Sequence, residues 1–393
     1  MIPTVYKSRG YSMLIKRIDQ KLIQTWTTIF FLLMSEWFSF GILPAIGVAG
    51  ERQPIIESII APATPPGNLR NSHGDILVLN DGTLLAAWSD FYGGSSSSDS
   101  PARISAATSV NGGRTWSHHF TLRENIGRQN IKCVNFLRLP SGEILLFHLV
   151  NNSPDDIRLV ITRSTDETKS WSAPLEITSQ RGYHMIANSR VVRLKTGRIL
   201  CPVTLSRSNT TTGPFQTVIY FSDDDGHTWK KGQGTLSAPQ RGAMDPALLE
   251  LTDGRVLQII RTQVGKLWHS YSLDHGNTWS PAKPWDIVAP EAPATIARIP
   301  NTGEIILIYN PNFTQGADHG GERTPLAVVI SSDEGKTWTK PRLIESDKNF
   351  NYSYVSVTFL GDRVMLTYYI APQGNDLESL KFKSFPITWF LDQ

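Results

Sequence analysis

Cysteine is almost missing from this chain: there are two in 393 residues, Cys133 and Cys201. Two cysteines make no disulfide framework, so stability must come from a packed core. They fall in neighbouring copies of the repeat described below. In an oxidising compartment they can pair; otherwise they stay as buried free thiols. An excess of charge of one sign is missing too. The formal charge is +3, and the basic residues are scattered, which excludes a nucleic-acid footprint. No HExxH, no paired CxxC and no EF-hand loop occurs, so neither a metal nor a cofactor is expected. A G-x-S-x-G nucleophile elbow and a phosphate-binding glycine loop before a helix are also absent. No long stretch carries apolar residues at a 3.6-residue period, which excludes a helical architecture. With 40% hydrophobic and 19% charged residues, the composition excludes a disordered chain.

A long apolar run occurs once, at Leu22 to Val48, behind the basic residues Lys7, Arg9, Lys16, Arg17 and Lys21. It closes on Gly47-Val48-Ala49, a small-residue cleavage pattern before Gly50-Glu51. Residues 1–49 are therefore expected to be a signal peptide, with Met13 as an alternative start. The mature protein would be exported to the periplasm or secreted. Left uncleaved, the run is long enough to anchor the chain in a membrane, although Glu36 and Pro44 interrupt it. No other segment is apolar enough to cross a bilayer, and residues 50–393 are expected to form one domain.

What the domain does have is an eight-residue pattern, S-x-D/N-x-G-x-T/S-W, in five copies. They are Ser109–Trp116, Ser164–Trp171, Ser222–Trp229, Ser272–Trp279 and Ser331–Trp338, one of which carries Thr168 in the glycine position. Their tryptophans are separated by 55, 58, 50 and 59 residues, a period that suits propeller blades. The pattern is a turn with a mechanism. The Asp or Asn bonds its own backbone, the Gly takes the positive-φ position, and the Trp covers the hairpin. A second ladder of short turns runs beside it: Leu79–Leu85, Leu139–Leu145, Leu194–Leu200, Leu251–Leu257, Ile299–Ile306 and, more loosely, Leu360–Met365. Each reads as a hairpin turn between two strands. Six hairpins and five octapeptides predict an all-β, six-bladed β-propeller with four-stranded antiparallel blades. Strand-like segments flank the repeats at Pro54–Ile60 and Leu380–Trp389. The N-terminal strand is expected to complete the last blade and close the ring, since an open ring would leave strand edges unpaired. The tract Gly93–Ser100 (GGSSSSDS) reads as a long, mobile loop inside the first repeat.

The octapeptide resembles the Asp-box, or BNR, repeat of sialidases, and the similarity covers roughly residues 55 to 390. That resemblance implies a six-bladed propeller with a central pocket in which arginines hold the carboxylate of a sialic acid. A guanidinium suits the task because it is always charged and its planar fork fits a carboxylate. Arg261, which ends the strand after Gly254, and Arg323, eight residues before Ser331, match the expected second and third arginines. At the register of the first stands Ser72; Arg70 is two residues early, and Arg190 is a substitute. The resemblance further implies a tyrosine nucleophile, an exception to the usual pair of carboxylates, with an acidic partner as base. Tyr354 falls in the tyrosine position, with Tyr352 one alternation away, and Asp245 takes the place of the partner, a glutamate in the family. Asp99, with Asp90 as fallback, stands where an aspartate acid is expected.

His73 and His184 lie near starts of inner strands, where either can serve as a general acid or base near neutral pH. The expected function is hydrolysis of a glycoside of an acidic sugar, with a carbohydrate as the partner. Two alternatives stand beside it: a uronate-directed polysaccharide lyase or other glycosidase on the same scaffold, and a non-catalytic carbohydrate-binding propeller.

Overall fold

The computed structural model describes residues 53–178, 180–206 and 213–392; the leader expected over residues 1–49 lies outside them. Strand is the dominant regular structure of the described chain. After β1 (Ile56–Ala61), it runs as successive antiparallel meanders. The first holds β2 (Arg70–Val78), β3 (Leu84–Phe91), β4 (Ala102–Ser109) and β5 (Phe120–Arg123). The second holds β6 (Asn130–Arg138), β7 (Ile144–Ser153), β8 (Asp156–Ser164) and β9 (Leu175–Glu176). In the third, β10 (Gly182–Met185) and β11 (Val192–Arg193) both pair with β12 (Ile199–Ser206), followed by β13 (Gln216–Ser222) and β14 (Lys230–Leu236). Next come β15 (Met244–Glu250), β16 (Val256–Arg261), β17 (Lys266–Ser272) and β18 (Lys283–Val288). The following meander is β19 (Thr295–Arg298), β20 (Ile305–Tyr309), β21 (Leu326–Ser331) and β22 (Arg342–Glu345). The chain ends on β23 (Phe350–Leu360), β24 (Arg363–Pro372), β25 (Ser379–Pro386) and a short helix, Ile387–Leu391. That helix replaces the end of the strand expected over Leu380–Trp389. The first three meanders fuse into one sheet through short parallel pairings, β4 with β6 and β8 with β10; the others are separate four-stranded sheets.

The N-terminal strand does join the C-terminal meander: β1 pairs antiparallel with β25. The cores follow the same logic. Most apolar clusters are shared by two consecutive meanders, as where Phe147 and Leu159 of the second meet Cys201 and Val218 of the third. One cluster joins the two ends of the chain, packing Ile56, Ile60 and Phe382 against Ile76, Leu84 and Trp88. Inner strands β2 and β6 lie side by side, β15, β19 and β23 follow one another, and β23 contacts β2.

The octapeptides form the turns between the third and fourth strands. In Ser222–Trp229, Ser222 Oγ donates to Asp224 Oδ1 (2.7 Å) and accepts from the Gly226 N–H (2.8 Å), while Thr228 Oγ1 donates to Asp224 Oδ2 (2.6 Å). At Gly113 the backbone has φ = 86°, and an added Cβ would lie 2.1 Å from Phe382. Glycine there is demanded by packing as well as by conformation.

One irregularity recurs and positions the site. The inner strands β2, β6, β15 and β23 each carry a register shift, and at each shift a non-glycine residue has positive φ: His73, Cys133, Asp245 and Tyr354. In the third meander the break between β10 and β11 holds Ser189 in the same conformation. Such bulges re-aim side chains. Side chains of the preceding meander satisfy the freed backbone: Ser89 accepts from the Cys133 N–H (2.9 Å) and Thr204 from the Asp245 N–H (2.8 Å).

The chain ends are held by charge as well as by strand pairing. Glu345 on β22, its side chain 11% exposed, accepts from Tyr368 (2.5 Å) and pairs with Lys381 (2.7 Å) and Lys383 (3.3 Å) of β25. Both lysines also reach Glu57 of β1 at 3.3 Å. Removing a buried partner leaves uncompensated charge behind. Glu345→Ala should therefore destabilise the fold by about 3 kcal/mol or more, whereas the exposed Glu57→Ala should cost less than about 1 kcal/mol, measured by equilibrium denaturation.

Candidate active site

Three of the bulges, at His73, Asp245 and Tyr354, converge on a cavity of about 160 Å³ that is also lined by Arg70, Tyr183, Arg241 and Arg261, among others. Five of these residues are among those the sequence nominated. His73 and Tyr354 come from β2 and β23, at opposite ends of the chain, and their rings meet edge-on with centroids 4.3 Å apart. Arg261 terminates β16, opposite Met244 of β15, so its guanidinium reaches the Asp245 bulge. Arg261 Nη1 donates to Asp245 Oδ2 at 2.6 Å, and both side chains are buried. The carboxylate nominated as partner of Tyr354 is therefore held by an arginine in this structure.

Arg323, expected to share the cavity with Arg261, is not among the residues that line it; its Cζ lies 5.7 Å from the centroid of the Tyr354 ring, and it donates to the Tyr369 hydroxyl at 3.0 Å. It lines a second cavity, of about 630 Å³, with His319, Asn351 and Tyr369. Arg70 reaches the central cavity in spite of its offset register. Its Nε donates to Glu378 (2.9 Å) and Ser72 (3.0 Å), and its Nη1 to Ser96 O and Ser98 Oγ.

Electrostatics follow from burial. Tyr354 is half-buried in the cavity wall, and burial pushes its phenol above the ordinary value; Asp245 pushes it further, while Arg261, Arg323 and Arg70 pull it back. Burial, reinforced by Arg70, Lys132 and Arg323, drives His73 well below its usual value, so its imidazole is neutral. The buried amine of Lys132 falls to about 8 through burial and repulsion by Arg70, against the opposing pull of Cys133 and Asp99.

The other nominated residues fall elsewhere. His184 is buried in the sheet, its Nδ1 3.1 Å from the Ile157 carbonyl, and does not line the cavity. Tyr352 points into the core between the last two meanders. Asp90 is buried against Arg103 (2.9 Å), Ser105 (2.7 Å) and Asn68 (2.5 Å), a structural engagement that leaves no free acid. Asp99 is half-exposed beside the cavity, accepting from Asn151 at 3.3 Å; its neighbour Ser98 supplies the lining. Arg190 is fully buried outside the cavity lining and donates to Thr295 Oγ1 at 3.0 Å, while its Nε and Nη2 have no hydrogen-bond partner. The Gly93–Ser100 tract is pinned rather than free. Ser98 O accepts from buried Asn130 (2.9 Å) and Lys132 (2.8 Å), and Gly94 N–H bonds Gly67 O. Its composition suggested mobility, but buried donors from the second meander hold its backbone.

Sequence reasoning missed Arg241, Glu291, His319 and Glu378. Glu291 is fully buried and joins Arg241 and His319 to Arg261: Arg241 Nη1 donates to Oε1 at 2.6 Å, His319 Nδ1 to Oε2 at 2.9 Å, and Arg261 Nη2 lies 3.7 Å from Oε1. Its backbone carbonyl accepts from Arg323 at 3.3 Å. Burial raises its carboxyl, but His319, Arg261 and Arg241 outweigh that and hold it at about 2. A lone acid inside Ala289-Pro290-Glu291-Ala292-Pro293 was the available signal, since a charge in an apolar run is either exposed or paired. Among the described residues no cluster fit for a metal occurs.

Cys133 and Cys201 are both free and buried. Burial lifts Cys133 to about 12 and Cys201 well above its usual value. The native protein at pH ~8 should leave both thiols unlabelled by an aromatic disulfide reagent, and unfolding in denaturant should expose both.

Comparison with known proteins agrees with the fold. The family model described as "BNR repeat-like domain" matches residues 82–366. A sialidase of Micromonospora viridifaciens is 24% identical over 355 residues, covering 80% of this chain and 51% of that protein. A sialidase of Bacteroides fragilis (strain YCH46) is 24% identical over 330 residues, covering 72% and 57%. The chain thus spans little more than half the length of these relatives. The K499G mutant of the NanB sialidase from Streptococcus pneumoniae superposes with a TM-score of 0.67 at 15% identity, covering 85% of this chain and 71% of that one. With the all-strand meanders, this likeness supports a β-propeller fold. The family model covers most of the chain, which therefore belongs to the BNR repeat-like domain family and, with it, to the sialidase superfamily.

Proposed function

We propose that this protein is an exported glycoside hydrolase acting on a carboxylate-bearing sugar, with a sialidase-like tyrosine mechanism on a closed ring of six blades. The pairing of β1 with β25 and the core shared by both chain ends support the ring. The observation that carries the function is the convergence of Arg70, Arg241 and Arg261 on the cavity that holds Tyr354, with Arg323 against the Tyr354 ring. Dry, fixed guanidinium groups are suited to fixing a carboxylate.

The Asp245–Arg261 contact gives the mechanism a trigger. A substrate carboxylate competes for Arg261, and the displaced Asp245 becomes available to take the phenolic proton. Tyr354 then attacks the anomeric carbon, while Asp99, on the pinned tract, protonates the leaving oxygen. Water resolves the covalent intermediate, with retention of configuration.

A uronate lyase is the second reading, favoured by one observation: neutral His73 stands edge-on to Tyr354. A neutral imidazole can accept the proton beside a carboxylate, and Tyr354 can then donate to the leaving group. The products discriminate. Hydrolysis of a sialic-acid glycoside should release the free sugar acid without new ultraviolet absorbance; a lyase acting on a polyuronate would generate an absorbing unsaturated product. Tyr354→Phe should lower kcat by about 10³-fold or more while leaving ligand binding nearly intact. A binding-only protein would turn over neither substrate, and its Arg261→Ala variant would lose affinity with no rate to lose.

A further inference from the structure

The charges at the site can be paired one by one. Arg70 is met by Glu378 at 2.9 Å, Arg261 by Asp245 at 2.6 Å, and Arg241 by Glu291 at 2.6 Å. Arg323 has only neutral partners for its guanidinium, the Tyr369 hydroxyl and the Glu291 backbone carbonyl. Four guanidinium groups against three carboxylates leave a single positive charge, and the neighbouring Lys132 ammonium and Asp99 carboxylate, which attract each other, add one charge of each sign. Of the three carboxylates, Asp245 lines the cavity and Glu378 sits partly exposed behind Arg70. Glu291 is different. It is completely enclosed, reaches no ligand space, and is bonded to Arg241 and His319 with Arg261 nearby.

Burying an anion is costly unless it is paired, and a hydrophobic residue would fill that space at lower cost. What an enclosed carboxylate does add is a fixed negative charge behind two ligand-facing arginines. Without it the site would present two excess positive charges and would favour a dianion. With it the site balances one negative charge.

We infer that Glu291 is a specificity-determining residue: it sets the excess charge of the arginine cluster at one and so selects a sugar with a single carboxylate over sugars bearing a dianionic group such as a phosphonate, or a sulfate beside the carboxylate. The inference rests on the acidic-sugar assignment above. Discrimination here is a difference of two affinities, arising from what the site repels or leaves unbalanced as much as from what it holds.

The test uses the full-length protein and two probes of one shape, a didehydro sialic acid and its analogue with a phosphonate in place of the carboxylate, measured by titration calorimetry above the second phosphonate ionisation. The native protein should bind the carboxylate form more tightly. Glu291→Gln should move the affinity ratio toward the phosphonate by about tenfold or more, and Glu291→Asp should keep the native preference. Glu378→Gln adds the same charge at a partly exposed position and should move the ratio in the same direction, which covers the case in which Glu291→Gln fails to fold. The double variant Arg241→Met/Glu291→Gln removes one charge of each sign and should return the ratio close to the native one; a purely structural role for Glu291 would not produce that return. An unchanged ratio in folded Glu291→Gln or Glu378→Gln overturns the inference while leaving the acidic-sugar assignment intact. Failure of the native protein to bind either probe removes both.

Discussion

The site depends on a backbone distortion repeated around the sheets. Inner strands break register at His73, Cys133, Asp245 and Tyr354, each in a left-handed conformation that a non-glycine residue adopts only at a cost. That cost is of the order of 1–3 kcal/mol per residue and persists only when the surroundings over-determine it. Here they do. Ser89 and Thr204 bind the exposed amides, and Asn188 donates to the carbonyl of Tyr354 at 3.0 Å. Each support comes from another meander, so the strain is stable only in the assembled fold. Without the bulges, the alternation of a strand would point these side chains into the space between sheets.

Charge is the second organising element. The cavity gathers arginines where water is scarce, and such groups require partners. Glu291, Asp245 and Glu378 provide them, each from a different part of the chain. The same pairing that makes the unliganded site tolerable also fixes the guanidinium planes. A ligand that competes for Arg261 rearranges contacts that already exist rather than ordering free side chains, which lowers the entropic cost of binding. Neighbouring groups then share one field. Tyr354 feels both Asp245 and the arginines, and His73 feels the arginines and Lys132.

Much of this was legible in the sequence, for a definite reason. The turn glycines count residues along each inner strand, and His73, Cys133 and Asp245 all stand nine before one: Gly82, Gly142 and Gly254. Counted from these turns, the family resemblance nominated Asp245, Arg261 and Tyr354, and the structure brings them with His73 to one cavity. Arg70 was harder, because the β2 bulge shifts its count. Arg241, Glu291 and His319 lie outside the strands, where no repeat constrains position, and only tertiary pairing brings them together. Tyr352, one alternation from Tyr354, faces the core beside the β23 bulge, and His184, nominated by its place near a strand start, alternates with the cavity-lining Tyr183 and Met185. Composition misjudged the Gly93–Ser100 tract because its anchors, Asn130 and Lys132, sit on another meander.

The central claim is that distant arginines meet at Tyr354 to hold a sugar carboxylate. The most direct measurement is a crystal structure of the protein with a didehydro sialic acid bound. The carboxylate should contact Arg261 and Arg323, with the anomeric carbon over the Tyr354 hydroxyl and Asp245 released from Arg261. A ligand seated instead at the flank formed by Arg128, Arg158 and Arg181, with the Asp245–Arg261 pair intact, would contradict it.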